Sequence, residues 1–219
     1  MIKGIIFDAD GTLIDSMPIW HEVSLRYLTR RGLKADDDLA DRVFTMTLDE
    51  GCAYIKELYR IPDTIEQMSA DILSEIRDFY YYEVQLKPGV REFIRGLQER
   101  KIPMVIATAG VRETLEAALS RLGILDCFDE LFFCTELSTS KREPLIYGHA
   151  ARYLGMQPSE ICVFEDALYA VRTAKSAGFN VIGIADETQT DERGEIMHTA
   201  DMYFDGAYDF DRFKMRFLA

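Results

Sequence analysis

Residues 1–13 read Met1-Ile2-Lys3-Gly4-Ile5-Ile6-Phe7-Asp8-Ala9-Asp10-Gly11-Thr12-Leu13, and the fold is decided by them. The run from Ile2 to Asp8 is short, apolar and rich in isoleucine, and Asp10-Gly11 breaks it at once with a turn signal. A continuous apolar run of this length predicts a strand buried on both faces, the kind a parallel sheet contains. It is far too short for a signal or membrane-spanning helix, so a cytoplasmic location is expected.

Working outward, four more runs of the same kind appear: Met104 to Thr108, Glu130 to Phe133, Ile161 to Phe164 and Asn180 to Ile184. Helical periods lie between them. Val90, Phe93, Ile94 and Leu97 precede the second run, and Leu115, Ala118, Leu119 and Leu122 follow it. Ile146, Ala150, Tyr153 and Leu154 precede the fourth, and Leu168, Val171 and Ala174 follow it. Strands alternating with helices predict an α/β fold: a Rossmann-like parallel sheet with helices on both faces.

From about Ser16 to Leu86 the alternation stops. Ile19, Val23 and Tyr27 form one helical stripe, and Ile65, Met68, Ile72, Ile76 and Phe79 form another. Pro88-Gly89 marks the return to alternating elements. Residues 1–15 and 87–219 are therefore expected to form the α/β core, and 16–86 a small all-helical domain inserted after the first strand. Ligands of open parallel sheets bind beyond the carboxyl ends of the strands. An insertion leaving from such an end is expected to act as a lid that excludes water and selects the substrate.

Composition narrows the function classes. The 219 residues carry a formal net charge of -13, with 48% hydrophobic and 29% charged residues. That surface repels nucleic acid and anionic lipid, and the expected partner is a small molecule met by a monomer. Cys52, Cys127, Cys134 and Cys162 include no C-x-x-C pair and read as ordinary thiols.

Polar residues stand at the carboxyl ends of the apolar runs. Asp8 and Asp10 end the first, Thr108 the second, and Glu165-Asp166 the fourth, while Lys141 lies in the loop after the third. Buried carboxylates are costly unless paired or bound to metal. Two acids two residues apart either share a proton or hold a cation between them. With Asp166 adding another oxygen, and a phosphate completing the shell, the donor set suits Mg²⁺. Lys141 would offset the repulsion between a carboxylate and a phosphate dianion, and the Thr108 hydroxyl would hold a phosphate oxygen. Each residue also has an ordinary reading: Asp10-Gly11 a solvated turn, Glu165-Asp166 a helix cap and first-turn acid, Thr108 a strand residue, Lys141 a loop lysine.

Four stretches taken together resemble the haloacid dehalogenase superfamily. Phe7-Asp8-Ala9-Asp10-Gly11-Thr12-Leu13 looks like its first motif, and Thr108 after Val105-Ile106-Ala107 like the second. Lys141-Arg142-Glu143-Pro144-Leu145-Ile146-Tyr147 looks like the third, and Val163-Phe164-Glu165-Asp166 like the fourth. The order and spacing hold along essentially the whole chain. The helical insertion is similar to the cap of the subgroup that includes β-phosphoglucomutase and phosphoglycolate phosphatase. The resemblance implies a Mg²⁺-dependent phosphatase with Asp8 as nucleophile and metal ligand. It implies that Asp10 is the general acid and base, with its backbone carbonyl on the metal, and that Thr108, Ala109 and Lys141 hold the phosphate. It implies Asp166 as a metal ligand, with Glu165 a ligand directly or through water. Ser140, Arg142-Glu143, Ala167 and Ala170 depart from the usual pattern around the third and fourth motifs.

The insertion bears on the substrate. His21 is a candidate contact to it, as is Trp20; both also read as residues packing or coating the helices. The mutases carry an arginine for a second phosphate, but Phe44-Thr45-Met46-Thr47-Leu48-Asp49-Glu50 has none in its second half. Arg42 is the one substitute nearby. The expectation is therefore a phosphatase acting on a small phosphate monoester. A sugar phosphate mutase is the alternative, and a non-catalytic protein that binds a phosphorylated metabolite is the rival of another class. Lys34 and Lys56 are candidates for a phosphonatase Schiff base only by being present, and Asp10 argues against a dehalogenase.

Overall fold

A computed structural model describes residues 1–44 and 46–218. Thr45, in the stretch weighed above for a mutase arginine, lies outside the described residues. In chain order the elements are β1 (Gly4–Phe7), α1 (Pro18–Arg30), α2 (Leu39–Phe44), α3 (Leu48–Tyr59), α4 (Ile65–Tyr82), α5 (Val90–Glu99), β2 (Met104–Thr108), α6 (Arg112–Arg121), β3 (Glu130–Phe133), α7 (Leu145–Leu154), β4 (Ile161–Glu165), α8 (Leu168–Ser176), β5 (Asn180–Ile184), α9 (Arg193–Thr199), β6 (Met202–Phe204) and α10 (Phe210–Phe217). They fall into two compact units, Met1–Asp15 with Gln85–Ala219, and Ser16–Val84.

The first unit holds a six-stranded, all-parallel sheet in the order β3-β2-β1-β4-β5-β6. Its register sorts the side chains by face. Ile6 pairs with Val105 and Val163, and Val163 with Val181. This valine-rich row is buried with Ile146 and Tyr147 of α7 and Val171 of α8. The opposite row carries Phe7, Ile106, Phe164 and Ile182. There the Phe93 ring of α5 meets Phe7, Phe164 and Phe204 edge-on, with Phe210 and Phe213 of α10 beside it. Both faces of each inner strand are thus apolar, which is why the strands read as continuous runs.

Differences from the sequence reading sit at ends and edges. β1 stops at Phe7: Lys3 N–H still donates to Glu160 O at 2.7 Å, but Asp8 lies beyond the ladder, its N–H reaching Phe164 O at 2.9 Å. β4 runs one residue further, to Glu165. β6, α9 and α10 are not visible in the sequence periods, because β6 has three residues and α9 seven. Tyr153 turns its ring outward from α7, 52% exposed, with its hydroxyl donating to Asp129 O at 3.0 Å.

Among the described residues, the regular elements of the second unit are all helices. Ile19, Val23 and Tyr27 of α1 and Met68, Ile72, Ile76 and Phe79 of α4 form its buried stripe. Thr47 and Thr64 each open a helix with a capping box, to Glu50 and Gln67.

Candidate active site

Sheet order locates the site. From β1 the chain steps outward through β2 and β3, then returns to the other side of β1 at β4. The crevice beyond the carboxyl ends lies where the order reverses, between β1 and β4. Asp8 follows β1, Glu165 ends β4 and Asp166 follows it.

The chain beyond β1 curls tightly. The Ala9 carbonyl accepts from the N–H of Leu13 at 2.8 Å and of Ile14 at 3.0 Å, and Gly11 N–H donates back to Ile14 O at 3.0 Å. Gly11 sits at φ 72°, which glycine adopts without strain. Leu86 then bridges Ile14, and Asp15 N–H donates to Gln85 O at 2.9 Å.

Asp8, Glu165 and Asp166 are all buried and each offers one oxygen within 4.8 Å of the others. Lys141, also buried, donates to Asp8 Oδ1 and lies 2.8 Å from Glu165 Oε1. Tyr147 donates to the same Oε1 at 2.7 Å, while Glu165 Oε2 is buried with no hydrogen-bond partner among the described residues. Thr12 Oγ1 donates to Asp166 Oδ1 at 3.2 Å, and Tyr208 fixes that turn by donating to Thr12 O at 2.9 Å.

Three buried carboxylates crowd around one buried ammonium. Burial pushes the Glu165 carboxyl up to about 7, with Lys141 opposing. Burial, then the charges of Asp8 and Glu165, push Asp166 well above the carboxylate range. Burial alone would lower Lys141, but the charges of Asp8 and Glu165 outweigh it and hold the lysine above its ordinary value. An all-oxygen cluster of three carboxylates with one orphaned oxygen fits a hard divalent cation such as Mg²⁺.

The Asp10 side chain is not part of this three-acid cluster. Its Oδ2 lies 2.9 Å from the point a Cβ on Gly110 would occupy, with Thr108 Oγ1 3.2 Å from the same point. Thr108 is buried, and its Oγ1 accepts from Gly110 N–H at 2.9 Å. Ala109 between them is exposed. Neither Glu165 nor Asp166 caps α8: the cap is Ala167, without a side-chain bond, and the first turn carries no acid. Around Lys141 the unusual residues support the loop, since Ser140 Oγ accepts from Arg142 N–H at 3.3 Å and the Arg142 guanidinium sits 4.7 Å over the Tyr169 ring.

In the helical unit, His21 stacks on Phe44 with ring centres 4.1 Å apart and lies 3.9 Å from Asp41. Trp20 lines an apolar cavity of about 430 Å³ with Val23, Phe44 and Ile55. Arg42 is already committed, to Asp36 at 3.0 Å, Asp38 at 2.7 Å and the Tyr54 hydroxyl at 2.6 Å. Lys56 ties down the loop after α3 through the carbonyls of Ile61 and Pro62, and Lys34 is exposed. Three of the cysteines are buried and Cys127 is partly so; all four are free.

Tyr147, Thr12 and Tyr208 are site residues that sequence reasoning missed. The first two stand inside quoted motifs, which was a usable signal; Tyr208 gave none. Lys87, buried against Asp186 Oδ2 at 2.7 Å and Ala185 O at 2.8 Å, was also missed, and the Asp186 charge adds to the pressure on Asp166.

The chain is similar to known proteins. The sequence profile of haloacid dehalogenase-like hydrolases matches residues 2–178. A phosphorylated carbohydrates phosphatase from Thermotoga maritima is 31% identical, over 83% of this chain and 84% of the relative. The validoxylamine A 7'-phosphate phosphatase of Streptomyces hygroscopicus subsp. limoneus is 30% identical, over 84% and 86%. A crystal structure from Thermotoga maritima, provisionally described as a beta-phosphoglucomutase, superposes with a TM-score of 0.88 at 25% identity, covering 98% of this chain and 100% of that one. The chain belongs to the haloacid dehalogenase-like hydrolases.

Proposed function

We propose that the protein is a Mg²⁺-dependent phosphatase that hydrolyses a small phosphate monoester through a phosphoryl group carried on Asp8. The observation that carries this reading is the buried cluster in which one lysine serves both Asp8 and Glu165 while Asp166 stands beside them. Such a cluster is costly without a cation and a phosphate to use it. The relatives named as phosphatases of phosphorylated compounds support the same reading.

Asp8 would attack phosphorus in line while the bond to the leaving oxygen breaks and Asp10 gives that oxygen its proton. The product is an acyl phosphate on Asp8. Asp10, now a carboxylate, would take a proton from water as the water attacks the same phosphorus. Inorganic phosphate leaves and the Asp8 carboxylate is restored. Lys141, the Thr108 hydroxyl and the Ala109 N–H would hold the phosphoryl oxygens throughout. Mg²⁺, held by Asp8, Asp166, Glu165 and the Asp10 backbone carbonyl, would neutralise developing charge on those oxygens. Segment 16–86 is taken as the substrate-selecting cap, with His21 a contact to substrate. The ties of Arg42 to Asp36, Asp38 and Tyr54 favour a phosphatase over a mutase, because no other arginine of that stretch is offered to a second phosphate.

The test is phosphate release from a panel of monoesters, with Mg²⁺ and with EDTA, for wild type and Asp8→Asn. Activity that needs both Mg²⁺ and Asp8 is expected. A folded wild type that releases phosphate from no ester, or as fast in EDTA, overturns the reading.

A further inference from the structure

We infer that Tyr147 is a positioning residue for the metal: its hydroxyl locks the Glu165 carboxylate so that Oε2, and not Oε1, faces the divalent cation. The inference rests on the Mg²⁺ reading proposed above.

A glutamate carboxylate has two chemically equal oxygens and a terminal torsion that turns freely. Here the two oxygens are made unequal. Oε1 receives two donors, the Tyr147 hydroxyl at 2.7 Å and the Lys141 ammonium at 2.8 Å. Oε2 receives none among the described residues and is out of reach of solvent. A buried carboxylate oxygen left without a donor is costly, and a cation is the partner that removes the cost.

Lys141 cannot do this alone. Its ammonium is shared with Asp8 Oδ1. The phosphate in the proposed mechanism also draws on it. Among the described residues the Tyr147 hydroxyl has no second hydrogen-bond partner. The ring is fully buried in the first turn of α7, tilted against Phe179 at 6.1 Å, so the hydroxyl is fixed in place. A phenylalanine would fill the same volume and pack the same face without ordering the carboxylate.

The experiment is a calorimetric Mg²⁺ titration of the full chain, comparing wild type, Tyr147→Phe and Phe179→Leu, with the melting temperature of each in EDTA. Outer partners of metal ligands typically set 10–100-fold in affinity, so Tyr147→Phe is expected to weaken Mg²⁺ binding about tenfold or more. Phe179→Leu, which loosens the ring and keeps the hydroxyl, is expected to change it less than about twofold, on the view that the donor and not the packing orients the ligand. Equal Mg²⁺ affinity in wild type and Tyr147→Phe overturns the inference and leaves the Mg²⁺ reading standing. Equal weakening in both variants overturns it too, since packing alone would then account for the loss. A wild type that binds no Mg²⁺ overturns it together with the metal reading.

Discussion

The Asp10 carboxylate occupies space that Gly110 leaves by having no side chain: Oδ2 is 2.9 Å from where a Cβ would stand. An added methyl must move something, and the end of Asp10 moves more easily than backbone. Gly110→Ala is therefore expected to fold with little change in melting temperature. Phosphate release should fall by about 10–100-fold, the effect of misplacing a general acid and base. Parallel melting and turnover measurements check this; an unchanged turnover would remove Asp10 from the acid/base role.

Lys141 joins Asp8 to Glu165 from a buried position. Removing one partner of a buried ionic group costs about 3–5 kcal/mol, because the charges left behind have no counterpart. Lys141→Met should therefore melt well below wild type in EDTA, and Mg²⁺ should recover part of the loss. Hydrolysis of every monoester should fall together, since the lysine serves the phosphate and not the alcohol. A loss confined to some esters would count against this role.

The acids themselves predict a pH dependence. An unfolded glutamate titrates near 4.3, and the folded Glu165 near 7. Between those values the native state binds more protons, so this group's contribution to stability is complete at low pH and is lost as pH rises through about 7. Asp166, also raised, acts in the same direction. In EDTA the Asp166→Asn variant should lose less stability than wild type between pH 5 and pH 8. The Mg²⁺-induced rise in melting temperature should grow over the same interval, reaching the equivalent of about 2.7 kcal/mol at a hundredfold excess over Kd. A rise independent of pH would mean that the cation does not meet these carboxylates.

The inner strands were legible because both their faces are buried, so that Ile5-Ile6-Phe7 and Val163-Phe164 carry no polar residue to blur the run. The acids were legible for the converse reason: a charge directly after such a run is conspicuous. Tyr147 stands inside a legible motif but its role was not legible, since in a helix it counts as one more apolar residue, and only tertiary packing delivers its hydroxyl to Glu165. β6 and α10 were hidden by length. Three residues, Met202 to Phe204, show no period, and the phenylalanines of α10 acquire meaning only against Phe93. The Arg42 contacts were hidden as well, because the sequence shows a cation and not the two aspartates and the tyrosine that hold it.

Those contacts give the last prediction. Arg42 bonds to Asp36, Asp38 and Tyr54 and stacks 5.6 Å from the Tyr54 ring centre, so its charge is spent within the helical unit. Arg42→Ala should lower the melting temperature and leave KM for a monophosphate within about twofold, as expected for an arginine that pairs with surface acids. Were Arg42 the holder of a second phosphate, losing a hydrogen bond to a charged group would weaken a sugar bisphosphate by about 10–100-fold. Turnover of a hexose monophosphate in the presence of its bisphosphate, followed by both isomerised sugar and free phosphate, separates the cases. Free phosphate from both proteins with no isomer supports the phosphatase; an isomer made by wild type and lost in Arg42→Ala would make the protein a mutase.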